Sequence, residues 1–310
     1  MVDRASVVVR VATALGRAAL LIGLVTLATF ALLRAVPGDP GDTLAAPDTA
    51  RLLHTAADPW RSELPMLPAF ARYVQSVACG DLGLSTTRRR PVVTLLAEAL
   101  GPSLLLAVSG LAIALMVGIV LALAAWRTRP RHRDRWDLVL SSLAVVPRFW
   151  LGLLLAMVFH TWLSWLPSSH IAPAGDTASG IRVAHLVLPA ITLAVPLSAL
   201  FARVLLGALD TVDGARRLQL AQASGLFPLT VFVRHLVWPQ ASVLAAMVAA
   251  DLPMLVSGAV MVETVFAWPG LGRLSAEAIS SADLPLAMAG VMVASLIAAC
   301  GSWLADRWSV

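Results

Sequence analysis

From Ser103 to Trp126 the chain runs for 24 residues without a charged side chain. A run of about 18 or more apolar residues marks a membrane-spanning helix. Inside a bilayer no water satisfies the backbone, so each N–H and C=O must bond within the protein, and a helix achieves this by itself. Similar runs predict further spans at Ala18–Leu33, Leu138–His160, Leu186–Leu209, Ala241–Val262 and Leu284–Leu304. The expected fold class is all-α, a polytopic membrane protein with six transmembrane helices. Only 13% of the residues are charged, against about a quarter in globular domains.

Three regions follow from these runs: 1–34, the N-terminus and first span; 35–102, a large extracytoplasmic lobe; and 103–310, a five-helix core carrying a polar loop at 210–240. Arg4, Arg10 and Arg17 precede the first run as in a signal peptide, but no small-residue cleavage site follows, so this span reads as uncleaved. In the lobe, Trp60, Phe70 and Tyr73 are candidates for a small core. The triplet Arg88-Arg89-Arg90 reads as a solvated face, Ser85 as a neutral loop position, and a helix should start near Val92. Pro147-Arg148 interrupts the third span. The segment from Thr161 to His185, with Trp162 and Trp165, suits an interfacial hairpin anchored by aromatics.

Six spans place both termini on one side, and arginines indicate which. Arg4, Arg10, Arg17, five arginines between Arg127 and Asp137, then Arg216, Arg217, Arg234 and Arg307 lie on the terminal side. The short segments opposite hold only Arg182 and Arg273. Basic residues collect on the cytoplasmic face, so both termini and the 210–240 loop are expected there, in a plasma-membrane protein.

All 23 basic residues are arginine. Without lysine there is neither a Walker A lysine nor a Schiff-base lysine. Cys79 and Cys300 fall in a loop and a span, so neither a disulfide nor a metal site is expected. An intramembrane hydrolase would need a motif such as H-E-x-x-H or G-x-S-x-G, and neither occurs. A secondary transporter would usually show two related halves, and no convincing repeat is present. The net charge of +5 reflects inter-span arginines rather than a nucleic-acid surface.

Charges at membrane depth are expensive and thus functional candidates. Arg148 and Asp251 qualify, either as a structural ion pair or as lining of a translocation path. Glu263 is a third candidate for these roles, the alternative being an interfacial residue near the outer surface that caps the following turn. The loop from Asp210 to Gln240 reads as an elbow: a helix over Ala215–Ser224, a break at Gly225, and a second helix from Pro228 towards Trp238. Glycine takes left-handed φ without penalty, and proline suits a first helical turn.

With that topology, several strings resemble one family. They are Leu33-Arg-Ala-Val-Pro-Gly-Asp-Pro40, Gly80-Asp-Leu-Gly83, Pro147-Arg-Phe-Trp-Leu-Gly-Leu153, His185-Leu-Val-Leu-Pro-Ala190, the elbow with Ala221, Ala223, Gly225 and His235, and Glu263-Thr-Val-Phe-Ala-Trp-Pro-Gly-Leu-Gly-Arg-Leu274. Along almost its whole length the chain resembles permeases of the dipeptide/oligopeptide family of ATP-binding-cassette (ABC) importers, of the first permease subunit type. The resemblance implies the ABC type I importer permease fold, with no enzyme activity of its own. It implies a second homologous permease, two ATPase subunits that bind ATP and magnesium, an extracytoplasmic binding protein, membrane lipid around the spans, and a peptide cargo. Haem, glutathione or nickel are alternative cargoes within the family. The elbow then corresponds to the loop that docks on an ATPase, through Arg217, Ala221, Gly225, Leu226, Phe227, Phe232, Arg234 and His235. Gln219-Leu220, Pro239 and Arg148 depart from the family pattern, and its C-terminal extension is largely missing.

Overall fold

A computed structural model describes residues 22–32, 65–128, 133–167, 183–210 and 223–308, together with 16, 19, 20, 216, 220 and 221. Among the described residues the secondary structure is helical apart from one isolated bridge, Leu84 to Pro91. Four helices are long and apolar enough to cross a membrane: Val92–Arg127, Val183–Gly207, Pro228–Asp251 and Leu284–Leu304. A fifth candidate is a broken pair, Arg133–Val145 and Arg148–Trp162. The first expected span is described as the shorter apolar helix Ile22–Leu32.

The broken pair takes the place of the span expected at Leu138–His160, and its break falls at Pro147, where the sequence shows an interruption. Its two halves meet at 91°. Pro147 lacks an N–H, and its ring clashes with the carbonyl one turn earlier, which kinks or breaks a helix; Val92–Arg127 and Val183–Gly207 continue through their prolines, whereas the chain breaks at this one. The chain instead uses Pro147 as the extended cap of a new helix, Arg148–Leu155, which continues as a wider π-helical stretch, Ala156–Trp162. The second span is longer than Ser103–Trp126 suggests. It begins at Val92 and runs through Pro102 to Arg127.

The chain forms two compact units. One contains Leu104–Trp268 and is centred on Val183–Gly207, which is apolar nearly all round. Leu193, Leu197, Phe201 and Leu205 recur every fourth residue on it, and each is fully buried. Opposite them, Gly110, Ala114, Gly118 and Ala122 form a small-residue seam on the long helix. A Cβ on Gly110 would lie 3.0 Å from the Leu193 Cβ; one on Gly118 would lie 2.9 Å from both the Phe201 Cβ and the Ser198 carbonyl oxygen. Helices in lipid gain little from hydrophobic burial against each other, so such close backbone approach supplies the attraction.

The other unit joins the described residues up to Ser103 with Pro269–Cys300. Val92, Leu95, Leu96 and Ala99 pack here with Leu271, Leu274, Ala278 and Leu286. Phe70 and Tyr73, on the helix Met66–Ala78, close over Phe30 with ring centroids 5.7 and 6.4 Å from it. Trp60 lies outside the described residues. Asp283 is fully buried and gathers this unit's loop. It accepts hydrogen bonds from Ser85 Oγ at 2.5 Å, Thr87 Oγ1 at 2.6 Å and the Thr86 and Thr87 backbone N–H groups. It also caps Leu284–Trp308 by accepting from Leu286 N–H. Ser85, expected to be neutral, is therefore a buried tether, 2% exposed. The arginine triplet is likewise more than a solvated face, because Arg88 pairs with Glu277 at 2.6 Å and Arg90 with Glu98 at 2.5 Å. These pairs are about half exposed, so each contributes little to stability.

Candidate functional site

The elbow has the expected break. Gly225 sits at φ +71°, in the left-handed region, with open space where a Cβ would stand. Just before it, Leu220 C=O accepts from Ser224 N–H at 3.0 Å and from Ser224 Oγ at 2.9 Å, ending the first arm. Just after it, Phe227 is the extended N-cap and Pro228 opens the second arm, Pro228–Phe232. That arm differs from expectation by not ending near Trp238. It widens to π-helix over Val233–Val237, tightens to 3₁₀ over Trp238–Gln240, and runs on as Ala241–Val265. Pro239 accounts for the irregularity: it cannot donate to the carbonyl four residues back, and the ladder shifts register around it. The elbow's second arm is thus continuous with a spanning helix.

Side chains on the elbow divide by face. Phe227 is 71% exposed, and Leu226 and Leu229 are exposed beside it. Arg234 is also exposed, and His235 is half-buried. Phe232 requires a correction, because it is fully buried rather than offered outward as a knob. It lies one turn before buried Leu236, and its ring stands 5.6 Å from that of Trp126. Ala221 is also turned inward, packing with Val231 against Trp126 and Leu209. Its small side chain lets the two arms approach each other. Arg217 lies outside the described residues; its neighbour Arg216 is exposed.

Within the spanning region, Arg148 opens the second half of the broken span and Asp251 sits on Ala241–Val265. These helices pack together, and the two half-buried charges are close enough to act on each other. Glu263 is buried within the protein, with 1% of its surface exposed. It occupies the last turn of Ala241–Val265, and its carbonyl accepts from Trp268 N–H at 2.7 Å, closing a turn that holds Ala267 at φ +48°. Phe266 and Trp268 fill the core around that turn.

The long apolar helices and the broken span define the class, a polytopic helical membrane protein. A family profile described as "Binding-protein-dependent transport system inner membrane component" matches residues 114–309. The chain belongs to this family of importer permeases. It is similar to the glutathione transport system permease protein GsiC of Escherichia coli strain K12, with 29% identity over 276 residues, covering 88% of this chain and 87% of the relative. The protein of the same name from Salmonella paratyphi A is also 29% identical, over 275 residues. A solved structure titled "Crystal structure of an amino acid ABC transporter with histidines" shares the fold. Its TM-score is 0.51 at 13% identity, covering 69% of this chain and 92% of that one.

Proposed function

We propose that this permease carries peptides inward across the membrane, driven through its elbow by separate ATPases. The observation carrying this reading is the elbow's two-sided construction. One face is locked to the body by Phe232, Ala221 and Trp126, while Leu226, Phe227 and Arg234 face outward. A lever needs both a rigid attachment and a free contact surface. Energy from hydrolysis of magnesium-bound ATP in two partner subunits enters as motion of this knob. A second permease completes the path and an extracytoplasmic binding protein delivers cargo. Both termini and the elbow face the cytoplasm, supported by the arginine asymmetry. Arg148 and Asp251 lie along the translocation path, where their mutual attraction offsets part of the desolvation of each.

Gly225→Val tests the lever. A β-branched residue at positive φ introduces strain of roughly 1–3 kcal/mol, and the open space around Gly225 confines the effect to the backbone. The matched control is Gly80→Val, at φ +81° with equally open surroundings. Gly225→Val should insert normally yet lose ATPase co-purification, while Gly80→Val keeps it. Normal assembly and uptake by Gly225→Val would reduce the elbow to a connector.

Glutathione stands beside dipeptides and longer peptides as cargo, because the relatives named above are glutathione permeases. Competition for the cognate binding protein separates them. Displacement of labelled glutathione by dipeptides would favour a general peptide system, and its absence the narrower cargo.

A further inference from the structure

A cavity of about 460 Å³ opens where three helices of the larger unit end together. It lies within the roughly 300–1,000 Å³ typical of small-ligand clefts. Trp126 comes from the last turn of Val92–Arg127, Arg133, Trp136 and Asp137 from the first turns of Arg133–Val145, and Arg203 from the end of Val183–Gly207. An Arg133 N–H donates to Leu206 C=O at 3.4 Å, which holds its guanidinium at the cavity wall. Arg203 and Asp137 are both exposed, so an entering ligand can reach them. The lining therefore combines two cations, one carboxylate and two indole rings.

This set is not that of a general anion site, because Asp137 would repel a simple anion. It suits a ligand that carries both signs. Guanidinium groups bind phosphate through paired N–H donors. A carboxylate between aromatic faces suits an ammonium, by an ion pair and by attraction to the ring. We propose that the cavity binds a phosphoethanolamine group, with Arg133 and Arg203 on the phosphate and Asp137, Trp126 and Trp136 around the ammonium. A free metabolite and a lipid headgroup share this chemistry, and the surroundings favour the lipid. Leu138 and Val139, on the same helix turn as Asp137, are 69% and 47% exposed and place apolar surface beside the cavity-lining turn. Tryptophans are also common at the headgroup level. Trp126 is the ring on which Phe232 rests, so the headgroup would sit directly behind the elbow's anchor.

The full-length chain in detergent, mixed with equal amounts of dioleoyl phosphatidylethanolamine and dioleoyl phosphatidylglycerol, tests this by native mass spectrometry. The ethanolamine lipid should be retained in preference. Arg203→Gln should lower its retention by about tenfold, the scale of one charge-assisted contact. Asp137→Asn should abolish the preference without lowering phosphatidylglycerol retention, which a merely basic patch would not show. Gel filtration and helix content of each variant verify that the fold is intact. Equal retention of both lipids by the wild-type chain, or an unchanged preference in Asp137→Asn, would overturn the proposal. Binding of soluble phosphoethanolamine with exclusion of the lipid would overturn the lipid assignment.

Discussion

Tyr73 is the single tyrosine of the chain and is 3% exposed against Phe30 and Phe70. Burial pushes its phenol up from the ordinary 10 to about 12. The sign follows from which form the packed site tolerates. Below pH 10 the phenol is neutral whether packed or free, and the contact is at full strength. Between pH 10 and 12 a freed Tyr73 ionises while a packed one does not. Packing therefore weakens as pH rises through that window, by up to about 1.4 kcal/mol per pH unit. Tyrosinate absorbance should rise near pH 12, and titration near 10 would show that the packed ring is readily released. Ser85 offers a second test. Ser85→Val removes one donor from buried Asp283 and should cost about 1–3 kcal/mol, read as a lower unfolding temperature, whereas Thr161→Val on an exposed site should change it little.

The small-residue seam makes a sharper demand on whole elements. Any side chain at Gly118 meets the Ser198 carbonyl and the Phe201 Cβ at 2.9 Å, and backbone cannot step aside as a flexible side-chain tip can. Gly118→Leu should push the helices apart at a cost of about 1–3 kcal/mol, seen as poor thermal stability in detergent. Gly207→Ala, where nothing stands within 4 Å, should be tolerated. The elbow poses the complementary case. Its second arm flows into Ala241–Val265, the helix that carries Asp251, and the proposed lever requires a push on the tip to move that helix. A glycine pair inserted after Gln240 should uncouple the two, leaving ATPase docking intact while uptake falls.

For the molecule as a whole, the proposed orientation is tested with Cys79, which is exposed on the segment before the long helix. A membrane-impermeant maleimide should label it in intact cells, and Cys79→Ser should remove that signal. Labelling only after the cytoplasm is opened would reverse the topology. Expressed without partner subunits, the chain should neither hydrolyse ATP nor restore uptake.

Apolar runs and turn residues are local properties, and they made the membrane class, the long helices and the break at Gly225 legible in the sequence, while the family was legible through the resemblance of particular strings such as Glu263–Leu274. A run of apolar residues does not say which face touches protein and which touches lipid, because both surroundings are apolar; likewise nothing local marks Phe232 as buried on Trp126, over a hundred residues earlier in the chain. The repeat Gly110, Ala114, Gly118, Ala122 was a readable signal for the close helix pair, at a spacing of four. Asp283 carried only the weak mark of a helix N-cap. Its bonds to Ser85 and Thr87 span nearly two hundred residues, as the headgroup cavity spans three helices. Contacts so distant along the chain are decided by how helices pack in three dimensions, and only the tertiary structure brings their members together.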